Sequence, residues 1–303
     1  MSKFIAVALL TLSLPSWAKQ THFAVDRGPQ RRSFEVEWTD SADKEQKVSY
    51  KIDDESIERH LTANLRFNKR DAHLAAAEAV RSWAAKQDVG VTITANAALG
   101  RVRIRARGTS QNAVNTALRH AAIIRDQALA DNSYDQGFTR LNNGKYIPDH
   151  ARFARSYADD LQPVAEALSQ PGLSKREYAS RALAFVQSIP YERRFLVQDT
   201  GYRRPLSVLA KNKGDCDSKS TLYLALLRQG RPNLDTAIVY VPGHAFVALG
   251  LPVQQGDTTV RASGRTWVVA EPVGPAVEPI GSLGSRSQRG SRRGSQELRV
   301  VTR

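Results

Sequence analysis

The sequence predicts an α+β fold in which helices precede a run of antiparallel strands. Three observations favour this class. Residues 174–188 begin with a capping-box pattern and end before Pro190. Residues 218–228 carry leucine and alanine at the spacing of a helix with one buried face. Three short apolar segments, 236–241, 244–251 and 266–271, then follow as strand candidates.

The first 18 residues have the pattern of a secretory signal. Lys3 supplies the positive charge, and the apolar stretch Phe4–Leu14 is too short to span a bilayer. Ser16 and Ala18 are the small residues of a cleavage site, so we expect cleavage after Ala18. No later segment predicts a transmembrane helix. We therefore expect an exported protein, periplasmic or secreted.

A smaller α+β domain is expected over residues 19–130, and its role is not indicated by the sequence. Residues 19–32 are polar and predict a loose segment. Alternating apolar and polar residues predict strands at 34–38, 48–52, 91–94 and 102–107. Helical periodicity predicts helices at 55–67, 71–86 and 111–129. Residues 131–150, rich in Asn, Gly and Asp, predict a linker to a second domain at 151–280.

The last segment, residues 281–303, predicts a disordered basic tail. It is a low-complexity run of Ser, Gly and Arg with too little apolar surface to fold. The formal net charge of the whole chain is +14, which favours acidic partners or anionic surfaces of the cell envelope. Basic residues interleaved with aromatics, as in single-strand binders, are not found, so we expect no nucleic-acid partner.

The single cysteine, Cys216, lies where a helix is predicted to begin. Exported domains that use cysteine structurally carry it in pairs, so a lone thiol suggests a nucleophile. A buried, inert cysteine is the alternative. The helix N-terminus favours a thiolate, whereas the charges of Asp215 and Asp217 disfavour it. An imidazole partner is therefore required.

His244 begins one predicted strand and Glu271 ends another. His244 would act as general base toward Cys216 and then as general acid toward the leaving amine. Glu271 would accept a hydrogen bond from the imidazole and fix its tautomer. The alternatives are a structural histidine and a solvent-facing carboxylate. The other histidines lie in polar or amphipathic segments and are expected at the surface: His22, His60, His73, His120 and His150.

The oxyanion of an acyl-transfer reaction needs hydrogen-bond donors. The backbone amide of Cys216 is one candidate, and the phenol of Tyr202 is the side-chain candidate. Gln187, Tyr191 and Gln198 are alternatives that the sequence does not separate from it.

A metal is not required by this pattern. Zinc would need further His or Cys at ligand spacing, and the sequence provides none around Cys216. Calcium could use the carboxylates of Asp215 and Asp217 together with backbone carbonyls, so a calcium ion remains an open prediction.

Residues 187–274 resemble the transglutaminase-like superfamily of papain-type cysteine enzymes. The motifs that carry the resemblance are Ile189–Tyr191, Arg204–Leu209, Lys213–Asp217, Gly243–Val247 and Glu271–Gly274. The resemblance implies a papain-type core in which Cys216 opens the core helix and His244 and Glu271 lie on successive strands. The family acid is more usually aspartate. Bacterial exported members include proteases that cleave surface proteins and bind calcium beside the cysteine.

These observations predict a cysteine protease or amidase that works through a Cys-His-Glu triad and an acyl-enzyme. The expected substrate is a protein or peptide of the cell envelope, with acidic ones favoured by the basic charge. Two alternatives remain: an acyltransferase that cross-links protein glutamines through the same residues, and an inactive scaffold that binds envelope components. The sequence does not specify an oligomeric state.

Overall fold

A computed structural model of the protein describes residues 20–61, 67–87, 90–98, 100–192, 202–274, 277–292 and 296–301. The predicted signal, residues 1–18, lies outside these ranges. The described elements form a mixed helix and strand fold with antiparallel sheets, which confirms the α+β class. None of the helices in the described ranges combines the length and apolar character needed to cross a bilayer.

The helices are α1 Asp54–Leu61, α2 Lys69–Ala84, α3 Gln111–Asp135, α4 His150–Ser156, α5 Gln162–Leu168, α6 Lys175–Ser188, α7 Pro205–Lys211, α8 Cys216–Gly230 and α9 Ser285–Arg292. The strands are β1 Gln20–Arg27, β2 Arg31–Thr39, β3 Glu45–Asp53, β4 Val91–Ala98, β5 Arg101–Gly108, β6 Phe138–Arg140, β7 Tyr146–Pro148, β8 Thr236–Val241, β9 His244–Leu249, β10 Thr259–Ala262, β11 Arg265–Ala270 and β12 Glu297–Val300.

Residue contacts divide the chain into two compact units. The larger unit takes its described residues from 20–61, 154–192 and 203–301, and the smaller unit from 67–153 and 202. The predicted boundary at residue 130 is therefore wrong for the N-terminal strands, which belong to the larger unit. The reason is aromatic packing: the rings of Trp38 on β2 and Tyr50 on β3 meet Phe185 on α6 edge-on, with centroids 5.4 and 6.4 Å apart.

The N-terminal sheet has the order β1-β2-β3, with all neighbours antiparallel. Alternation along β2 and β3 buries Phe34, Trp38 and Tyr50 on one face, as the pattern predicted. The expectation of a loose segment at 19–32 is wrong, because residues 20–27 form the edge strand β1. Its side chains are half-buried or exposed, so backbone pairing with β2, rather than an apolar pattern, holds it in place.

In the smaller unit, α2 and α3 pack on the two-stranded β4-β5 sheet. The apolar residues of one sheet face contact buried alanines and Val80 of the helices. The predicted linker at 131–150 is not a linker. It contains the end of α3, the β6-β7 hairpin and the start of α4. The Asn and Gly residues that suggested a linker form the turn of this hairpin, with Gly144 at a φ of 82°.

The central sheet of the larger unit has the order β10-β11-β9-β8-β12. Helix α8 packs on β8 and β9, whose residues are all buried. Sequence patterns located the ends of β8 and the starts of α8 and β9 correctly. The capping box at the start of α6 is present as predicted, with both the Ser174 and the Glu177 hydrogen bonds formed.

The expectation of disorder over 281–303 is wrong for most of that segment, since it contains α9 and β12. β12 pairs antiparallel with β8 and forms the edge of the central sheet. Helix α9 lies close against β8: a Cβ added at Gly290 would stand 2.7 Å from Val241 Cγ2. This segment has little apolar surface of its own. It is ordered because β12 forms backbone hydrogen bonds with β8 and because a small residue lets α9 approach that strand closely.

Candidate functional site

Cys216 is the first residue of α8. Asp215 is the N-cap, with extended backbone, and its carboxylate accepts a hydrogen bond from the backbone N–H of Ser218 at 3.0 Å. The Cys216 thiol is partly buried and donates to Asp217 Oδ1, with sulfur and oxygen 3.3 Å apart. The predicted position of the cysteine at a helix N-terminus is therefore correct.

The surroundings of Cys216 disfavour a thiolate. Burial raises the pKa of the thiol well above its usual range, and the charges of Asp217 and Asp215 and the hydrogen bond to Asp217 act in the same direction. The backbone N–H of Ala245 acts in the opposite direction, because a nearby hydrogen-bond donor favours the thiolate. The resting group is thus a thiol, as the flanking aspartates predicted, and a base must take its proton.

His244 and Glu271 form a buried pair. Their exposed fractions are 9% and 5%, and Nε2 of His244 lies 3.1 Å from Oε1 and 3.4 Å from Oε2 of Glu271. A carboxylate can only accept, so the pair fixes the ring proton on Nε2 and leaves the lone pair of a neutral imidazole on Nδ1. This is the hydrogen bond that the sequence predicted for Glu271.

Cys216 and His244 are brought to the same end of the central sheet. His244 is the first residue of β9, and the backbone N–H of the next residue, Ala245, is close enough to Cys216 to counteract part of the rise in the pKa of its thiol. Helix α8 packs along β9, which holds its N-terminus at the start of that strand. The thiol, the imidazole and the carboxylate therefore come from α8, β9 and the end of β11.

Ser287 on α9 is a further member of this cluster, and the sequence analysis missed it. The side chain is fully buried, and its hydroxyl donates a short hydrogen bond to Oε2 of Glu271. Glu271 thus receives one hydrogen bond from His244 and one from Ser287. No motif marks Ser287, because it lies in the low-complexity segment whose composition predicted disorder.

The segment that leads into α8 is held by ion pairs. The guanidinium of Arg203 binds both carboxylate oxygens of Glu192, each at 2.6 Å, and Lys213 Nζ lies 3.3 Å from the same carboxylate. The backbone N–H of Arg203 donates to the hydroxyl of Ser218 in the first turn of α8. A bidentate, partly buried pair of this kind fixes geometry as well as charge. It restricts where Cys216 can lie.

Lys219, one turn into α8, is the second residue that the sequence analysis missed. It is fully buried, and its ammonium donates to three backbone carbonyls: Gln187 at 3.3 Å, Ile189 at 2.7 Å and Val273 at 2.6 Å. Burial lowers its pKa to about 7, and the charge of Glu271 opposes that shift. Three acceptors match the three N–H bonds of an ammonium, so the geometry favours the charged form.

The side chain of Gln187 has a structural task rather than a catalytic one. Its amide nitrogen donates to the backbone carbonyls of Glu271 and Glu278, both at 2.8 Å, so its two N–H bonds are occupied. Gly274 lies so close that an added Cβ would stand 2.4 Å from the Gln187 carbonyl oxygen. Only glycine fits there, at a φ of 59°. The contacts of Gln187 with the Glu271 carbonyl and with Gly274 fix the backbone after Glu271.

The oxyanion candidates are dispersed. Tyr202 is described with the smaller unit, where its ring stacks on Phe153 and meets His150 edge-on, with both centroid distances 4.9 Å. Tyr191 is exposed at the end of α6, and Gln198 lies outside the described residues. The backbone amide of Cys216 remains the candidate donor nearest to the thiol.

The two aspartates proposed for calcium already have partners. Asp215 caps α8 and Asp217 accepts from the Cys216 thiol. Across the described ranges, no group of three or more His, Cys, Asp or Glu side chains is arranged to hold a metal ion. The calcium site stays a prediction.

Comparison with protein-family models, with curated proteins and with solved structures gave no match. The geometry described above is therefore the basis for a functional assignment.

Three of the five remaining histidines are not surface residues as expected. They are buried: His60, His73 and His150. His60 Nε2 lies 3.0 Å from Asp160 Oδ2, and its Nδ1 accepts the backbone N–H of Leu206 at 3.1 Å. One ring nitrogen thus joins α1 to Asp160 and the other joins it to the start of α7, a structural role that local sequence could not indicate.

Proposed function

We propose that the protein is an exported cysteine hydrolase of the transglutaminase-like type. It would cleave a peptide or amide bond through Cys216, His244 and Glu271. The observation that carries the proposal is the buried His244–Glu271 pair, which lies at the strand end next to Ala245, the residue whose backbone N–H counteracts part of the rise in the Cys216 pKa.

The proposed reaction begins with the thiol. Nδ1 of His244 accepts the Cys216 proton as the sulfur attacks the carbonyl carbon, and the backbone amide of Cys216 donates to the oxyanion. The imidazolium then protonates the leaving amine as the C–N bond breaks, which leaves a thioester on Cys216. Water, deprotonated by His244, attacks the thioester carbon, and the C–S bond breaks to release the acid and restore the thiol.

Glu271 would serve this sequence by orientation and charge. It holds the ring proton on Nε2, so that Nδ1 is available as the base, and its negative charge stabilises the imidazolium that forms. Its burial strengthens both effects, because the local dielectric is low.

The test is the pH dependence of Cys216 alkylation by a small electrophile. Since the chain has one cysteine, every label reports this site. We expect rapid labelling of the parent at neutral pH and slow labelling of His244→Ala, whose buried thiol has no base. Cys216→Ala is the blank. Equal labelling rates for the parent and His244→Ala would contradict the proposal.

The same protein preparations can distinguish hydrolysis of the acyl-enzyme from transfer of its acyl group to an amine. Incubation with a glutamine-containing protein as the acyl donor and a fluorescent primary amine as the acceptor would label that protein if the acyl group of the thioester is passed to amines. We expect release of acid without amine incorporation, because hydrolysis is the proposed fate of the acyl-enzyme. Slow labelling of the parent, at the rate of an ordinary thiol, would instead indicate an inactive scaffold.

Localisation is part of the proposal and has its own test. The signal-like pattern of residues 1–18 predicts that the exported protein begins at Lys19. N-terminal sequencing of the protein recovered from outside the cytoplasm would show this directly.

A further inference from the structure

The smaller unit contains a strongly basic cavity that the candidate catalytic site does not use. Its volume is about 320 Å³. This lies at the lower end of the range for small-molecule pockets, about 300–1,000 Å³. The walls come from α2, the β4-β5 turn, α3 and the β6-β7 hairpin. The charged or titratable side chains of the lining are Lys69, His73, Arg101, Arg125, Asp126 and Arg140.

The lining of this cavity has an excess of positive charge. Four cationic side chains from four elements converge on it, against one carboxylate. That carboxylate, Asp126, pairs with one of the four cations, since Arg125 Nε lies 2.9 Å from its Oδ1, so the excess positive charge of the lining comes from Lys69, Arg101 and Arg140. Like charges held together raise the free energy of the empty protein, and a bound anion relieves the repulsion.

Two turn glycines lie beside cations at the cavity wall. Gly100 and Gly144 have φ values of 69° and 82° and belong to the β4-β5 and β6-β7 turns. A Cβ at Gly144 would stand 3.3 Å from Nη2 of Arg140, and one at Gly100 would stand 3.7 Å from Nζ of Lys69. Both turns thus set a positive group at the edge of the same cavity.

His73 adds a buried polar group to this lining. It lies one helical turn after Lys69 on α2 and is 7% exposed. Burial lowers its pKa, and the charges of Lys69 and Arg140 lower it further. At neutral pH the ring is therefore neutral and offers one N–H without adding to the repulsion.

A second cavity continues from the first and is more apolar. Its volume is about 400 Å³, and it shares Lys69, His73 and Gly100 with the basic cavity. Leu74, Ala97 and Ala98 provide apolar lining. A ligand with an anionic head and a neutral or apolar remainder could occupy both.

We infer that this pair of cavities binds a small phosphate monoester, with the phosphate group in the basic cavity. A phosphate dianion has three terminal oxygens and two charges, which suit several cations that approach from different sides. A carboxylate has two oxygens and one charge, which a single arginine can satisfy. The inference does not depend on the chemistry of Cys216.

The test is calorimetric titration of the full chain with inorganic phosphate and with glycerol 3-phosphate at constant ionic strength, with acetate for comparison. Saturable binding of both phosphates, with glycerol 3-phosphate tighter and acetate much weaker, is expected. Lys69→Gln and Arg101→Gln should each weaken binding about tenfold or more, the effect of losing one charge-assisted hydrogen bond. Circular dichroism would check that both variants are folded.

Arg105→Gln is the matched control, because Arg105 is an exposed arginine of the same strand that does not line the cavity. It should change affinity less than twofold. Equal weakening by Arg105→Gln and Arg101→Gln would mean diffuse attraction to a basic face and would overturn the site. Phosphate binding that does not saturate would also overturn the site. Binding of vesicles that contain phosphatidic acid, without binding of glycerol 3-phosphate, would overturn the assignment of a small ligand.

Discussion

The environment of Cys216 favours the protonated thiol over the thiolate. A helix N-terminus by itself favours a thiolate, but burial and the two flanking carboxylates act more strongly in the other direction. In the proposed reaction the nucleophile is therefore generated by proton transfer to His244. The aspartates would also protect the thiol from oxidation, because the thiolate is the reactive form.

Asp217 should therefore slow thiolate formation. Asp217→Asn keeps a side-chain oxygen for the sulfur to donate to but removes the charge, so the pKa of Cys216 should fall. In a His244→Ala background, alkylation should be faster at every pH below the thiol pKa, and the pH profile should move to lower pH. Glu45→Gln, which neutralises an exposed carboxylate of β3, is the control. Identical profiles for Asp217→Asn and this control would contradict the electrostatic account.

Ser287 is expected to act as a positioning residue for the catalytic pair. Ser287→Ala removes the second hydrogen bond to Glu271 and should slow Cys216 alkylation at neutral pH about tenfold, since a hydrogen bond to a charged group contributes about 1.5–3 kcal/mol. The rate of Cys216 labelling across pH is the measurement.

Ser285→Ala is the matched control, as an exposed serine of the same helix. Its labelling rate should equal that of the parent. A purely structural role for Ser287 would lower the denaturation midpoint and leave the labelling profile of the folded protein unchanged, which would count against positioning.

At the scale of elements, Lys219 joins three parts of the larger unit. Its ammonium donates hydrogen bonds to the carbonyls of Gln187 and Ile189 at the end of α6 and to the carbonyl of Val273 in the turn after Glu271. These are the segments that determine the backbone positions of Cys216 and Glu271. A lysine in the first turn of a helix normally predicts an exposed side chain, so this role was invisible before the fold was known.

Replacement of Lys219 by methionine should destabilise the fold strongly. The change preserves most of the side-chain volume but leaves three buried carbonyls without their donor, each worth about 1–3 kcal/mol. The free energy of unfolding should fall by about 3 kcal/mol or more, measured by urea denaturation. Lys211→Met, at an exposed lysine of α7, should be nearly neutral. A small effect of Lys219→Met would show that water replaces the ammonium.

At the scale of the whole molecule, the C-terminal segment completes both the central sheet and the cluster around Glu271. β12 covers the edge of β8, and α9 carries Ser287 to Glu271. A chain that ends at Gly284 should therefore lose neutral-pH labelling of Cys216 and expose a strand edge that favours self-association. Labelling and gel filtration measure the two effects.

The control for this truncation removes only Thr302 and Arg303, beyond β12, and should behave as the parent. If the longer truncation misfolds, Ser287→Ala in the full chain still tests the catalytic contribution alone. Full labelling and unchanged elution of the chain that ends at Gly284 would contradict the role assigned to this segment.

Local patterns in the sequence determined the secondary structure near the site and the choice of Cys216, His244 and Glu271. The capping box of α6, the start of α8 and the apolar runs of β8 and β9 depend on neighbours in the chain, so periodicity and cap residues were sufficient. The direct contact between His244 and Glu271 followed from placing them on strands that became neighbours, β9 and β11.

Only the tertiary structure decided which segments belong together and what the least distinctive residues do. β12 pairs with β8, which is distant in the sequence, and β1 is held by backbone pairing with its neighbour β2, so the composition of these two segments does not predict their strands. Ser287, Lys219 and the cations of the smaller unit gain their roles from burial and from charges on other elements. Hydrogen bonding and electrostatics in a folded protein act through space, and a pattern along the chain reports only the neighbours it contains.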